Sequence, residues 1–334
     1  RGEQLARGVA HGDATRAKAP RLARHMDGPA LFRTALAACS AQVIGNASEV
    51  AAGSPDPEHV HQLRVGIRRL RTLLRELDVL NPSASGEPWD AALVACFQAL
   101  GAQRARRALA CEWQPRIEAA GGPALSWPAA ATDTEADAVV CSAAFQAILL
   151  DLVEAGLAPS NPAGEVDEDG DDSAREDEHP AGRDGDGDGD GKDHDGKAAP
   201  SGKALRALVA QRLATLHRQV VRGGKDFDRL DASGRHRVRK RLKRLRYLAE
   251  MTAGLFGDKA AKRYLRRVTP AQDALGLYND ASMAAQAYRT AQADGAEAGF
   301  ALGWLAAHEP ERAAACRKAL RKIDGATRYW RNKG

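Results

Sequence analysis

Four residues able to grip an anion, His61, Arg64, Arg68 and Arg71, stand at intervals of 3, 4 and 3 within HQLRVGIRRLR. The same chemistry returns 175 residues later in HRVRKRLKRLR, as His236, Arg239, Lys243 and Arg246. On an α-helix these intervals place each set on one face, with charges about 5 Å apart along the axis. Guanidinium groups hold phosphate oxygens through paired hydrogen bonds, and a lysine adds a mobile point charge. Such a ladder suits a polymer of closely spaced anions. Arg75 continues the first stripe, whereas Arg69 and Arg244 lie off the stripes; all three are expected to make flanking contacts.

Beside each cationic stripe runs an apolar one, turned by about 100° around the helix. Leu63, Ile67, Leu70, Leu74 and Leu77 form the first seam, and Val238, Leu242 and Leu245 the second. The pattern predicts helices that bury one face and line a groove with the other. Leu100-Gly101 also recurs as Leu275-Gly276 at the same offset of 175. Two matches sharing one offset indicate an internal duplication.

An Arg-rich helix face is ordinarily just solvated. Here His and Arg fall in register in both copies, which a merely solvated face does not require. Glu58, Glu76 and Glu250 flank the stripes without lying among them, so internal salt bridges are not expected. This favours binding. His61 and His236 stand near their helix starts, where an imidazole can either satisfy a local partner or contact phosphate. No nucleophile accompanies them, so catalysis is not expected.

The elements that must carry these residues read as helices throughout, in an all-α protein. Helices are expected over about 29–52, 57–80 (with Asp56 before Pro57 as its start), 88 to beyond 109, and 134–157. A second cycle covers about 203–222, 233–256, 258–293 with a break near Pro270, 295–308 and 310–330. Residues 1–24 read as a loose arm, 25–157 and 203–330 as the two repeats, and 158–202 as a disordered acidic insert. Asp184, Asp186, Asp188 and Gly189 imitate the opening of a calcium loop, but Asp195 stands at position twelve and no amphipathic helices flank it, so no metal is expected.

The net charge of +5 conceals an asymmetry. Residues 164–197 hold fifteen acidic and four basic residues, leaving 45 basic against 29 acidic elsewhere. A remainder that positive attracts polyanions. Five cysteines without a CxxC pair read as reduced, mostly buried thiols of a cytoplasmic protein. No stretch approaches the roughly 20 apolar residues of a membrane span.

The two arginine helices, with the LG segments Leu100-Gly101-Ala102-Gln103-Arg104-Ala105 and Leu275-Gly276-Leu277-Tyr278-Asn279-Asp280, resemble the CHAD family, the conserved-histidine α-helical domain. The LG segments match that family's LGxxRD-like turn, except that Ala105 stands where Asp is expected, which implies a lost hydrogen bond or salt bridge. The resemblance implies two four-helix bundles related by duplication, with a basic groove between them that binds inorganic polyphosphate. His61, Arg64, Arg68, Arg71, His236, Arg239, Lys243 and Arg246 would line it, without cofactor or catalysis. Polyphosphate granules are a further expected setting. CHAD domains often follow a CYTH triphosphatase domain; no ExExK strand is present, so such a catalytic domain would stand upstream of Arg1, with this chain as its accessory. Nucleic-acid binding is the alternative, disfavoured because aromatic residues for base stacking are not interleaved with the stripes. A tethered acidic insert competing for the groove is also expected, or else a passive linker.

Overall fold

The computed structural model describes residues 11–23, 26–80, 89–127, 135–157, 200, 202–293 and 297–331. The acidic run 164–197 and the calcium-loop imitation lie outside these residues. The regular elements of the described residues are all helices, with no strand among them.

Both motif helices begin the same way. Asp56 caps α2 (Pro57–Glu76) by accepting the Glu58 amide at 2.8 Å, and Asp231 caps α8 (Ala232–Met251) by accepting the Gly234 amide at 2.7 Å. A carboxylate there satisfies an orphan amide and meets the positive end of the helix dipole. Each cap stands five residues before the motif histidine, which fixes the face that each stripe presents.

In the first half, α1 (Gly28–Ala51) lies along α2. Gly66 lets them approach, since a β-carbon there would meet Val43 Cγ2 at 2.9 Å. Next come α3 (Trp89–Ala108), a π-helical stretch (Leu109–Trp113) and α4 (Gln114–Ala119). The expected fourth helix is split by extended Ser142 into α5 (Ala136–Cys141) and α6 (Ala143–Leu157), both packed on α1 and α3. In the second half, α7 (Gly202–Lys225) packs on α8, and α9 (Asp258–Ala293) on α8. After α10 (Gly299–Ala307), α11 (Glu309–Asp324) returns onto α7 and α9.

The apolar seams are buried as their period requires. Leu63, Ile67, Leu70, Leu77, Val238, Leu242 and Leu245 are all essentially inaccessible, each worth roughly 1.5–3 kcal/mol of burial; Leu74 is only partly buried. One continuous core runs through α2 and α8 and joins the halves, with Cys39 Sγ 3.8 Å from Met251 Sδ across the junction. A second core joins them again further out, where Trp113 and Ile117 meet Tyr288 and Leu305. There Tyr288 donates to Gln114 Oε1 at 2.8 Å.

Three expectations are corrected here. Helix α9 runs through Pro270 without a break, because buried Tyr264, Val268, Ala271 and Leu275 hold both sides of the proline in one packed register. Residues 11–23 are not loose: Asn46 accepts the Thr15 amide at 3.1 Å and donates to its carbonyl at 2.8 Å, and His59 Nε2 meets the Gly12 carbonyl at 3.0 Å. The LG segments are not turns. Both lie inside helices, α3 and α9. Of the thiols, Cys39, Cys96 and Cys316 are buried, whereas Cys111 and Cys141 are exposed; all five are free.

Candidate anion-binding site

Helices α2 and α8 pack against each other, and this contact brings the upper parts of the two stripes together. Arg64 and Arg68 from one half act on Arg239 from the other, and Arg68 and Arg239 both act on Lys243. Burial, then the neighbouring Arg68 and Arg104 charges, pushes Arg64 down to about 10. Lys243 is pushed down to about 6, first by burial and then by Arg68 and Arg239, with Asp280 opposing. Positive charge is thus crowded and under-compensated.

Each half secures its leading arginine differently. Arg64 Nη1 donates to the Phe97 carbonyl at 2.6 Å, and its guanidinium lies 4.1 Å from the Phe97 ring centre, with Arg68 at 4.8 Å. Gly101 makes room, because a β-carbon there would fall 2.7 Å from Arg64 Nη1. Arg239 instead stands 3.9 Å from the Asp280 carboxylate, and its buried Nε has no hydrogen-bond partner among the described residues. Ala105, at the matching position of the first half, offers no carboxylate. The missing pair expected from Ala105 is replaced by a carbonyl and an aromatic face.

The histidines also differ. His236 Nδ1 meets Asn279 Oδ1 at 3.2 Å, while half-buried His61 has no such bond among the described residues. Burial is the main cause that lowers both below the ordinary imidazole value. Arg104 adds to it for His61, and the Asn279 bond opposes it for His236. Both rings are therefore poised as neutral hydrogen-bonding groups.

Arg104 is the residue that the stripe pattern missed. It acts on His61, Arg64, Arg239 and Lys243 from α3, and so belongs to the cluster. The signal was present in the LG segment, where Arg104 matches Asn279 at the same offset, but reading that segment as a turn hid its helical face.

Not every expected residue joins. Arg246 Nε donates to Glu250 at 2.7 Å, one turn along the same helix, and Arg244 bridges the halves to Glu76 at 3.0 Å. The expectation that Glu76 and Glu250 make no internal pairs is thus corrected: Glu250 neutralises the lower end of the second stripe, and Glu76 an arginine beside it. Arg71 is half-buried and is not among the charges acting most strongly on Arg64, Arg239 or Lys243. Arg75 is exposed at the end of α2. Arg69 is no flanking contact: it is 1% exposed, donating to Gln42 Oε1 at 3.0 Å and to the Lys18 carbonyl at 3.3 Å, so its role is to pin residues 11–23 to the core. Two recesses, of about 310 and 230 Å³, lie elsewhere and contain none of these side chains. Among the described residues no group of three or more His, Cys, Asp or Glu could hold a metal ion, and no helix is long and apolar enough to cross a membrane.

The CHAD-domain family model matches residues 34–289, most of the chain and both motif helices. The chain belongs to the CHAD-domain family. The crystal structure of the CHAD domain from the plant Ricinus communis superposes with a TM-score of 0.66, covering 92% of this chain and 96% of that one. Sequence identity is 22%, so the likeness is one of fold. Comparison with curated proteins gave no match. Within the CHAD fold of this chain, the cluster of Arg64, Arg68, Arg104, Arg239 and Lys243 sits where α2 and α8 join the halves, with Asp280 as the nearby acid.

Proposed function

We propose that this CHAD domain is a non-catalytic binding module for inorganic polyphosphate. In this reading residues 25–157 and 203–330 are two copies of one four-helix unit, residues 158–202 link them, and residues 1–24 are an arm. The polymer lies in a groove between the copies in the cytoplasm, in solution or on polyphosphate granules. Arg64, Arg68 and Arg104 hold it from one side, and Arg239 and Lys243 from the other. His61 adds a neutral donor, His236, whose Nδ1–H is given to Asn279, donates from Nε2 once the bound anion protonates its ring, and Arg71 and Arg246 extend the path.

One observation supports this reading above the rest: five cations from both halves act on one another with a single carboxylate, Asp280, among them. Such crowding is unfavourable in the empty protein and is relieved by a ligand carrying one negative charge per phosphate. A polymer is favoured over a lone phosphate because the cations stand on three helices and span more than one turn of α2. The same anions would drive Lys243 back toward its charged form, so binding takes up a proton.

The test is affinity against salt concentration for the wild type, Arg68→Ala and Lys243→Ala. Each lost phosphate contact should shallow the log–log salt slope by about 0.7–0.9 and weaken binding about tenfold at 0.1 M salt. Unchanged slopes would reject direct contact. Labelled RNA should be displaced by polyphosphate at far lower phosphate concentration than the reverse; equal competition would favour a nucleic-acid ligand instead.

A further inference from the structure

The C-terminal ends of α7 and α11, together with Arg328, enclose the recess of about 310 Å³. That volume lies near the lower end of small-molecule sites, about 300 Å³. Arg218, Arg222, Lys225 and Arg328 bring four cations to its wall, against one carboxylate, Asp324. That carboxylate is already engaged, 3.3 Å from Lys225 Nζ. Arg218 donates to Thr215 Oγ1 at 3.0 Å. The side chains of Arg222 and Arg328 have no ion pair or hydrogen bond among the described residues.

His217 forms the inner wall and is only 3% exposed. Burial, followed by the Arg328 charge, pushes it down to about 4, so the ring is neutral and carries one N–H. Its Nδ1 lies 3.0 Å from the Tyr264 hydroxyl, which is buried and has no other hydrogen-bond partner among the described residues. Burial also raises Tyr264, which keeps its proton. With the hydroxyl donating to Nδ1, the one acceptor it meets among the described residues, the imidazole proton resides on Nε2. Nε2 has no partner among the described residues. The recess thus presents a buried N–H donor together with unpaired guanidinium groups.

We propose that this recess is a second anion site, which takes a small phosphate-type oxyanion between Arg222, Arg328 and the His217 Nε2–H. Donors approach from α7 and from the chain beyond α11, an arrangement suited to a tetrahedral oxyanion with oxygens on several sides rather than to a planar carboxylate. The site is separate from the motif cluster, whose strongest mutual charges are Arg68, Arg104, Arg239 and Asp280, none of them in this recess.

The test uses the full chain carrying Arg68→Ala and Lys243→Ala, so that the motif cluster is disabled. Inorganic phosphate and diphosphate are titrated by calorimetry, while the ¹⁵N signal of His217 Nε2, assigned with His217→Gln, is followed by NMR. One binding event should persist and shift the His217 signal. Adding Arg222→Ala and Arg328→Ala, where Arg222 is exposed and Arg328 half-buried, should weaken it at least tenfold with no loss of thermal stability. Binding indifferent to those two substitutions, a still His217 signal at saturation, or a response to long polyphosphate alone would each overturn the assignment.

Discussion

The two halves carry the same helix and treat its leading arginine in opposite ways. In the first, Arg64 is held by a carbonyl and an aromatic face, beside Arg104 and the uncharged Ala105. In the second, Arg239 faces Asp280, with neutral Asn279 where Arg104 would be. At two matching positions the first half thus holds Arg and Ala, the second Asn and Asp. Like geometry need not mean like electrostatics. The first half carries the more uncompensated charge, and the second keeps part of its charge compensated by Asp280.

The largest expected effect breaks the first half. Replacing Arg64 and Arg104 together by Ala should weaken polyphosphate binding about a hundredfold, whereas replacing the matching pair, Arg239 and Asn279, by Ala should cost about tenfold. These follow from about 1.5–3 kcal/mol per charge-assisted hydrogen bond. Equal losses, measured by calorimetry, would remove the asymmetry. Next comes exchange of the acids: Ala105→Asp should weaken binding several-fold, and Asp280→Asn should tighten it by a smaller factor.

Proton linkage gives the third effect. Lys243, lowered to about 6 in the empty protein, is mostly neutral at pH 7.5 and is recharged by bound phosphate. Affinity should therefore fall as pH rises above 6, by up to about tenfold per pH unit, and Lys243→Arg should flatten that dependence. For stability the sign is opposite. Between pH 6 and the ordinary lysine value the unfolded chain holds the extra proton. This residue's penalty is thus full below pH 6 and fades as pH rises, so the empty protein should gain thermal stability with pH through that window. The smallest effect compares two glycines. Gly101→Ala drives a methyl group into Arg64 and should weaken binding a few-fold, whereas Gly276 has open space around it. Gly276→Ala should leave binding unchanged and add up to about 1 kcal/mol of helix stability.

The sequence disclosed the seams because burial imposes a period, and Leu63, Ile67, Val238 and Leu242 obey it. It disclosed the stripes for the same reason. What it could not disclose was which lengths of the two stripes meet. That depends on the crossing of α2 over α8, which leaves Arg64, Arg68, Arg239 and Lys243 together and hands Arg244 and Arg246 to Glu76 and Glu250. Arg69 shows the limit of spacing most clearly: its match to Arg244 signalled importance, but the buried amide of Gln42 and the docked segment 11–23 made that importance structural. Arg104 was visible by type and hidden by a motif read as a turn. Pro270 was a sound stop signal overridden by packing on both sides.

The proposal that both halves hold one anion chain is tested most directly by calorimetric titration with short polyphosphate. In a background carrying Arg222→Ala and Arg328→Ala, which disables the separate recess, a single binding event is predicted, whose affinity falls with Arg68→Ala and falls again with Arg239→Ala. Two independent events, each abolished by substitution in only one half, would contradict it.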